Sequence, residues 1–263
     1  NSSAISVNTR NGADMAPYDN ASIVIEGCKS KGNPGDEGEE PEEPEFPIVT
    51  PVTGKYTYLF EDNWPLYGDY DMNDAVFKID NIKTTLSAQN LAQKYTFDIT
   101  CLAAGAQKRI AGALMLDMVS ASNISSVSYS TSAPESFNVN SFDVEQGQTK
   151  AVIPLFDNIH ALLGNPSAWY INTLPNNKDN TDPVKITVEI SFSTPVLAID
   201  LNVNYLNFFI IADIDRFPVQ SEKRREIHQV GFAPTALADT SLFGNHNDGS
   251  SGSKYYLSKD NLA

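Results

Sequence analysis

Short strand-like runs recur along the chain from Lys55 onward, and they constrain the fold more than any other feature of the sequence. The runs are rich in Val, Ile, Thr, Phe and Tyr, and clusters of Gly, Asn, Pro and Ser separate them. This pattern is typical of antiparallel sandwiches and jelly rolls. We therefore predict an all-β fold, an antiparallel, jelly-roll-like β-sandwich. The predicted strands are 55–61, 75–82, 94–103, 109–118, 124–130, 137–144, 149–155, 184–192, 196–203 and 206–212.

Three segments carry more specific patterns. In 184–192, apolar residues alternate with polar ones, which is typical of a strand with one exposed face. Residues 208–212 are apolar on both faces, which predicts a central strand. Residues 157–164 would form at most a short helix, since Asp157 can cap its start and Gly164 can end it.

An acidic, proline-rich stretch divides the chain near its start. Seven acidic residues lie between Asp36 and Glu45, and five prolines punctuate residues 33–51. Like charges repel and proline favours extended backbone, so 33–51 is predicted to be a linker. Residues 1–32 would then be an N-terminal segment, either a strand of the main sheet or the end of an upstream module. Residues 52–263 would form the β-sandwich domain.

The charge of the chain limits its partners. The formal net charge is -15, and the sequence has no basic stripe, so we predict no nucleic-acid binding. The densest basic cluster, Lys223–Arg225, is flanked by Glu222 and Glu226 and is predicted to be a solvated turn. No apolar stretch reaches the roughly 18 residues of a membrane helix. Membrane association would therefore need a lipid anchor or a partner outside this sequence.

The sequence lacks the usual catalytic signatures. It contains no Gly-x-Ser-x-Gly, no His-Glu-x-x-His and no glycine-rich phosphate loop. Its 33 acidic residues make carboxylate pairs unavoidable, so a glycosidase pair cannot be recognised among them. We expect no catalytic residues and no enzymatic activity.

The loop Gly68–Asp74 concentrates oxygen-bearing side chains. Ca²⁺ takes roughly six to eight oxygen ligands, and such a cation would offset the repulsion between the carboxylates. The alternating order resembles an EF-hand loop, but Asp74 stands where an EF-hand needs Gly, and strands flank the loop instead of helices. We predict a structural Ca²⁺ loop of another kind. Its candidate ligands are Asp69, Asp71, Asn73 and Asp74, with Glu61 or Asp62 completing the shell.

An alternative remains open for the same loop. Asp and Asn side chains often accept hydrogen bonds from nearby backbone N–H groups in tight turns. Gly68–Asp74 would then be an acidic β-turn without an ion.

The acidic loop and the aromatic residues before it also resemble a known family. Tyr58–Pro65 followed by Gly68–Val76 is similar to the signature of the LruC-type domain, and 150–164, 206–211 and 225–228 fit the same family in the same order. The resemblance covers roughly residues 52–263. It implies an exported protein of the bacterial cell envelope, on the outer surface or extracellular, often a lipoprotein, with no established enzymatic activity.

Three functions follow as hypotheses. The leading one is a non-catalytic, calcium-stabilised cell-surface module for adhesion or for binding an extracellular glycan or protein. The second is a carbohydrate-binding module of a glycan-uptake system, with Trp64, Trp169 or Tyr170 stacking on a sugar. The third is a fimbrial or pore-forming assembly subunit, in which a free sheet edge accepts a partner's strand.

Overall fold

The computed structural model describes residues 45–252 and 254–260, and two antiparallel sheets make up most of this part of the chain. Within these residues the predicted all-β sandwich is confirmed, and its one α-helix, α1, is short. The elements are β1 (Ile48–Val52), β2 (Tyr56–Phe60), β3 (Ala75–Leu86), β4 (Leu91–Ala103), β5 (Ile110–Ser120), β6 (Ile124–Tyr129), β7 (Lys150–Phe156), α1 (Ile159–Leu162), β8 (Val184–Leu197), β9 (Leu206–Ala212) and β10 (Glu226–His228).

The strand order leaves one edge strand of each sheet, β2 and β10, next to the same pocket. The first sheet runs β1-β3-β4-β8-β6, and β2 pairs with β3 beside β1. The second sheet runs β10-β9-β5-β7. Strand β2 and strand β10 are therefore edge strands of different sheets, and both contribute residues to one pocket described below.

Aromatic packing joins the two sheets. The ring of Phe208 on β9 lies 4.5 Å from that of Tyr58 on β2, 5.9 Å from Phe77 on β3 and 6.2 Å from Phe97 on β4, measured between centroids. All seven residues of β9 are buried, and the strand lies between β10 and β5. The prediction of a central strand at 208–212 is confirmed.

The predicted strands 137–144 and 196–203 are wrong, because Asn side chains form turns there. The Asn140 carboxamide oxygen accepts hydrogen bonds from the N–H groups of Phe142 and Val144. In the second segment β8 ends at Leu197, two 3-10 turns follow, and the Asn202 side chain accepts from the N–H of Asn204. Such local bonds compete with a β-ladder.

The linker predicted over 33–51 ends earlier than expected. Ile48–Val52 forms β1, whose ladder with β3 runs from Ile48↔Leu86 to Val52↔Ile82. Pro51 is tolerated because β1 is an edge strand. The predicted N-terminal segment 1–32 and the linker up to residue 44 lie outside the described residues.

No helix in the described part of the chain is long and apolar enough to cross a membrane.

Candidate metal loop and adjoining pocket

The acidic loop, residues 61–74, connects the neighbouring strands β2 and β3 and is held near its start by Trp64. The Trp64 Nε1–H donates to Asp248 Oδ1 over 2.9 Å. Its ring lies 4.9 Å from that of Phe243 and 4.8 Å from that of Tyr256. These contacts tie the loop to the C-terminal part of the domain, 184 residues later in the sequence. Trp64 is therefore half-buried and packed against Phe243 and Tyr256, and its stacking on a sugar stays a prediction.

Three of the predicted metal ligands converge in this loop. One carboxylate oxygen each from Glu61, Asp69 and Asp71 lies within 4.8 Å of the others. Tyr70 and Met72 have positive φ angles of 58° and 54°, so the backbone is left-handed at both residues. The Glu61 Oε1 accepts the Met72 N–H over 2.6 Å, while the Glu61 Oε2 is buried and has no hydrogen-bond partner.

Two glycines make room for these oxygens. A Cβ on Gly68 would lie 2.3 Å from the Glu61 Oε2, and a Cβ on Gly105 would lie 1.8 Å from the Asn73 Oδ1 and 2.8 Å from its backbone oxygen. Real Cβ atoms do not approach so closely. The loop needs glycine at position 105, where the contact includes a backbone oxygen, whereas a Cβ at position 68 would require only a shift of the Glu61 side chain.

The other predicted ligands make protein contacts. The Asp62 carboxylate pairs with the Lys108 ammonium over 2.8 Å, and the Asp74 Oδ2 accepts the backbone N–H of Asp62 over 2.7 Å. Both side chains are buried. The Asn73 Nδ2 donates to Asp71, which leaves its Oδ1 near Gly105. The structure thus brings Glu61, Asp69 and Asp71 together, with Asn73 beside them, and uses Asp62 and Asp74 to brace the loop.

Burial and like charge raise the pKa values of two carboxyl groups in the loop. Burial raises the pKa of Glu61, and the charges of Asp69 and Asp71 raise it further. Burial, followed by the charge of Asp62, raises the pKa of Asp74 to about 7. A bound divalent cation would favour the ionised forms and lower these pKa values. The chemistry of the donors fits a hard cation such as Ca²⁺.

A pocket of about 440 Å³ opens beside the acidic loop, between β2 and the β10 edge. Its size falls in the range typical of ligand sites. The hydroxyl of Tyr256 and the Oδ1 of Asn247 are buried, have no hydrogen-bond partner and belong to residues that line this pocket. Aromatic and aliphatic side chains make up most of the rest: Tyr58, Leu59, Phe60, Trp64, Pro65, Leu66, Tyr70, Met72, Ile227, His228 and Val230.

The wall of the pocket is supported by a buried charge network. The Arg224 Nη2 lies 2.9 Å from the Glu145 Oε2, and its Nε lies 2.6 Å from the Glu226 Oε1. The ring nitrogens of His228 lie 2.9 Å from the Glu226 Oε2 and 2.7 Å from the Asn207 Oδ1. Because His228 also stacks between Phe209 and Tyr256, the network is joined directly to the pocket residue Tyr256.

The predicted solvated turn at Lys223–Arg225 is wrong at Arg224, whose exposed fraction is 0%. A buried cation of this kind requires paired carboxylates. One of them, Glu145, is 79 residues away in the sequence, so local charge patterning could not identify it. The spacing of Arg224, Glu226 and His228 at every second residue was the one available signal, since it places them on the same face of a strand.

A second, shallower concavity contains the exposed aromatic pair predicted for sugar stacking. Trp169 is 55% exposed, and Tyr170 is exposed beside it. Polar side chains of Asn177 and Asp179 line the same surface.

Comparison with known proteins relates most of this domain to one family. A family model described as "Domain of unknown function (DUF4842)" matches residues 90–263. The match begins after β3, so the acidic loop lies before it. No curated protein matches the chain significantly. The LruC-type resemblance stays a prediction.

One solved structure shares the fold. It is described as a "Putative lipoprotein from Bacteroides ovatus" and aligns with a TM-score of 0.55 at 17% sequence identity. The alignment covers 80% of this chain and 63% of that one, so the present chain spans less than two thirds of its length. At this identity the likeness concerns the fold.

Proposed function

This chain belongs to the DUF4842 family of domains of unknown function, and from that starting point we propose that it is a non-catalytic, calcium-stabilised module of the bacterial cell surface that binds a ligand or mediates adhesion. The observation that carries the calcium part is the convergence of Glu61, Asp69 and Asp71, which bring one carboxylate oxygen each within 4.8 Å of the others. In addition, the buried Glu61 Oε2 has no hydrogen-bond partner.

Calcium would act here as a structural ion. Three carboxylates supply part of its shell, and the remaining ligands would come from water, from Asn73 or from backbone oxygens of the loop. The ion would neutralise the like charges that raise the pKa of Glu61. It would also hold the loop against β3 and so shape the pocket, because Glu61, Gly68, Tyr70 and Met72 line that pocket.

Two considerations support the proposed location. The Bacteroides ovatus structure of similar fold is described as a "Putative lipoprotein", and the LruC-type resemblance also points to exported envelope proteins. Attachment to the membrane would then come from a lipid anchor or a partner outside this sequence.

The calcium hypothesis is tested by calorimetry. The melting temperature of the protein in EDTA should rise on addition of excess Ca²⁺, since a ligand that binds only the folded state stabilises it by about RT ln(1 + [L]/Kd). The variants Asp69→Asn and Asp71→Asn should lose most of this rise. The matched control Asp182→Asn, which changes an exposed loop aspartate away from the cluster, should keep it. Equal melting temperatures in EDTA and in excess Ca²⁺ would refute the structural-ion hypothesis.

A carbohydrate-binding module is the second candidate, and the exposure of Trp169 favours it. Exposed aromatic rings next to amide and carboxylate groups can stack on a sugar ring and bind its hydroxyls. A glycan array should then show signals that Trp169→Ala abolishes and that Tyr205→Ala, a change at another exposed aromatic residue, preserves. A blank array with the wild-type protein would count against this candidate.

The third candidate, a fimbrial or pore-forming assembly subunit, would use a sheet edge. Strand β2 pairs with β3 on one side, and no other described strand pairs with its outer side. Such an edge is able to accept a strand from another chain.

A further inference from the structure

Among the described residues, no strand or backbone hydrogen bond covers the outer edge of strand β2. Its sequence, Tyr-Thr-Tyr-Leu-Phe, contains no charged residue and no proline, and Leu59 at its outer face is 48% exposed. No backbone hydrogen bond links its outer side to another segment of the described chain. Natural proteins usually protect such an edge with charge, proline or a covering segment, because it otherwise recruits other strands.

The remaining edges do carry such protection. Strand β1 contains Pro51. On β7, the Val152 oxygen accepts the N–H of Glu145, and on β6 the Val127 N–H donates to the oxygen of Phe142. Strand β10 has only three residues. Among the described strands, β2 is therefore the edge on which a partner's strand would meet the least obstruction.

The pocket beside β2 has the chemistry of a site for an aromatic anchor residue. Its lining is mostly apolar, and it includes the exposed side chains of Leu59, Leu66 and Tyr70. Two of the lining residues, Tyr256 and Asn247, are only 5% exposed, and the Tyr256 hydroxyl and the Asn247 Oδ1 are buried without a hydrogen-bond partner. Unpaired buried polar groups cost free energy, and a ligand whose hydroxyl or N–H group reached either atom would remove that cost.

The pocket is negatively charged on the side of the acidic loop. The pocket residue Glu61 belongs to the same carboxylate cluster as Asp69 and Asp71. Even with a divalent cation bound, these three carboxylates would leave the rim negative. A basic residue next to the anchor would complement this charge.

We propose that β2 and the adjoining pocket bind an extended segment of another protein, which pairs with the outer edge of β2, inserts a tyrosine or tryptophan side chain toward Tyr256 and Asn247, and carries a lysine or arginine that faces the acidic loop. This inference rests on the proposed role as a ligand-binding module and names the class of its partner. It does not require calcium.

Peptide display on the full chain tests this inference. A phage library of random dodecapeptides is selected on immobilised protein, once in calcium buffer and once in EDTA. The selected peptides should share a tyrosine or tryptophan close to a basic residue. Synthetic, fluorescein-labelled copies are then titrated by fluorescence anisotropy, and amide exchange should show added protection at residues 56–60 when peptide binds.

Three variants locate the binding site. Leu59→Lys adds charge at the exposed edge and should weaken binding by about tenfold or more. Tyr256→Phe should weaken a tyrosine- or tryptophan-anchored peptide by roughly three- to tenfold and leave its phenylalanine-anchored counterpart unchanged. Its melting temperature should not fall, because the lost hydroxyl has no partner in the free protein. Leu197→Lys, at an exposed leucine on β8, is the matched control and should bind as the wild type does.

Two peptide results would overturn the proposed binding mode. In the first, the selected peptides do not share a tyrosine or tryptophan close to a basic residue. In the second, they bind Leu59→Lys and Tyr256→Phe as well as they bind the wild type. Size-exclusion chromatography that shows self-association abolished by Leu59→Lys would also overturn it, since the occupant would then be a second copy of this chain. Peptide binding that persists in EDTA while calcium leaves the melting temperature unchanged would support this inference and refute the calcium proposal, so the two failures are distinguishable.

Discussion

Arg224 is surrounded by acceptors in the interior of the protein. Its guanidinium contacts Glu145 and Glu226, and its Nη1 donates to the Val219 backbone oxygen over 2.9 Å. Its central carbon lies 5.8 Å from the centroid of the Phe209 ring. A buried ion pair of this kind adds little net stability compared with apolar packing, but loss of one partner leaves the other charge buried and uncompensated.

Replacement of this arginine should therefore strongly destabilise the folded protein. We expect Arg224→Met to lower the free energy of unfolding by about 3–5 kcal/mol, because Glu145 and Glu226 would lose their cation. Urea denaturation followed by circular dichroism measures the change. The matched control Arg216→Met, at an exposed arginine, should stay within about 0.5 kcal/mol of the wild type. Similar losses in both variants would show that Arg224 is not the essential cation of the network.

At this scale the sequence predicted the acidic cluster only in part. The alternation of Asp69, Asp71 and Asn73 placed oxygens in one short loop, and the structure brings Asp69 and Asp71 to Glu61. The sequence could not show that Asp62 would pair with Lys108, because that contact joins residues 46 positions apart. The pocket atoms of Asn247 and Tyr256 were missed for the same reason, since no local pattern marks them.

At the scale of elements, the acidic loop is packed against the connection between β4 and β5. The backbone N–H of Gly105 donates to the backbone oxygen of Asp74 over 3.2 Å, and the Asn73 side chain occupies the space where a Cβ on residue 105 would lie. The loop is thus held from both ends, by Trp64 on one side and by Gly105 on the other. Its position depends on this close approach of two backbone segments.

A methyl group at this contact should displace the loop. We expect Gly105→Ala to destabilise the protein by about 1–3 kcal/mol, because the new Cβ would collide with the backbone oxygen of Asn73, which cannot move as a flexible side chain can. Gly252→Ala, where a Cβ would meet nothing within 4 Å, is the matched control and should be nearly neutral. Both are measured by urea denaturation, and equal midpoints would mean that the loop tolerates displacement.

Strand prediction succeeded where burial alone determined the pattern. Residues 206–212 are apolar except for Asn207, and they form β9 with the predicted bounds. It failed at 137–144, where Asn140 and the positive φ of Asp143 create a turn within an apolar–polar pattern. The same alternation is compatible with both structures, and the side-chain hydrogen bonds of Asn140 favour the turn.

At the scale of the whole molecule, the buried charges make the fold sensitive to acid. Burial alone would raise the pKa of Glu226, but the hydrogen bond with His228 and the charge of Arg224 outweigh it and lower the pKa to about 2. The ordinary value is 4.5. A carboxyl group with a depressed pKa stabilises the fold above its ordinary value, and this stability is lost as the pH falls toward the depressed value.

Acid denaturation should reveal this contribution. Between about pH 4.5 and pH 2 the free energy of unfolding should fall by about 3 kcal/mol through Glu226 alone. Urea midpoints are measured across this range in EDTA for the wild type and for Glu226→Gln, whose curve should be flatter. Glu189→Gln, at a surface carboxylate paired with Lys94, should keep the wild-type slope. Parallel curves for the wild type and Glu226→Gln would contradict the assignment.

The sequence by itself determined the all-β class, the central position of β9 and the short loop rich in oxygen ligands, because hydrophobic periodicity and turn residues act between near neighbours. Only the tertiary structure decided which carboxylates converge and which are braced by lysine, why Arg224 is buried, and where β2 and β10 leave a pocket. Those features depend on contacts between residues far apart in the chain, such as Glu145 with Arg224 and Trp64 with Asp248. The local sequence pattern does not reveal such contacts.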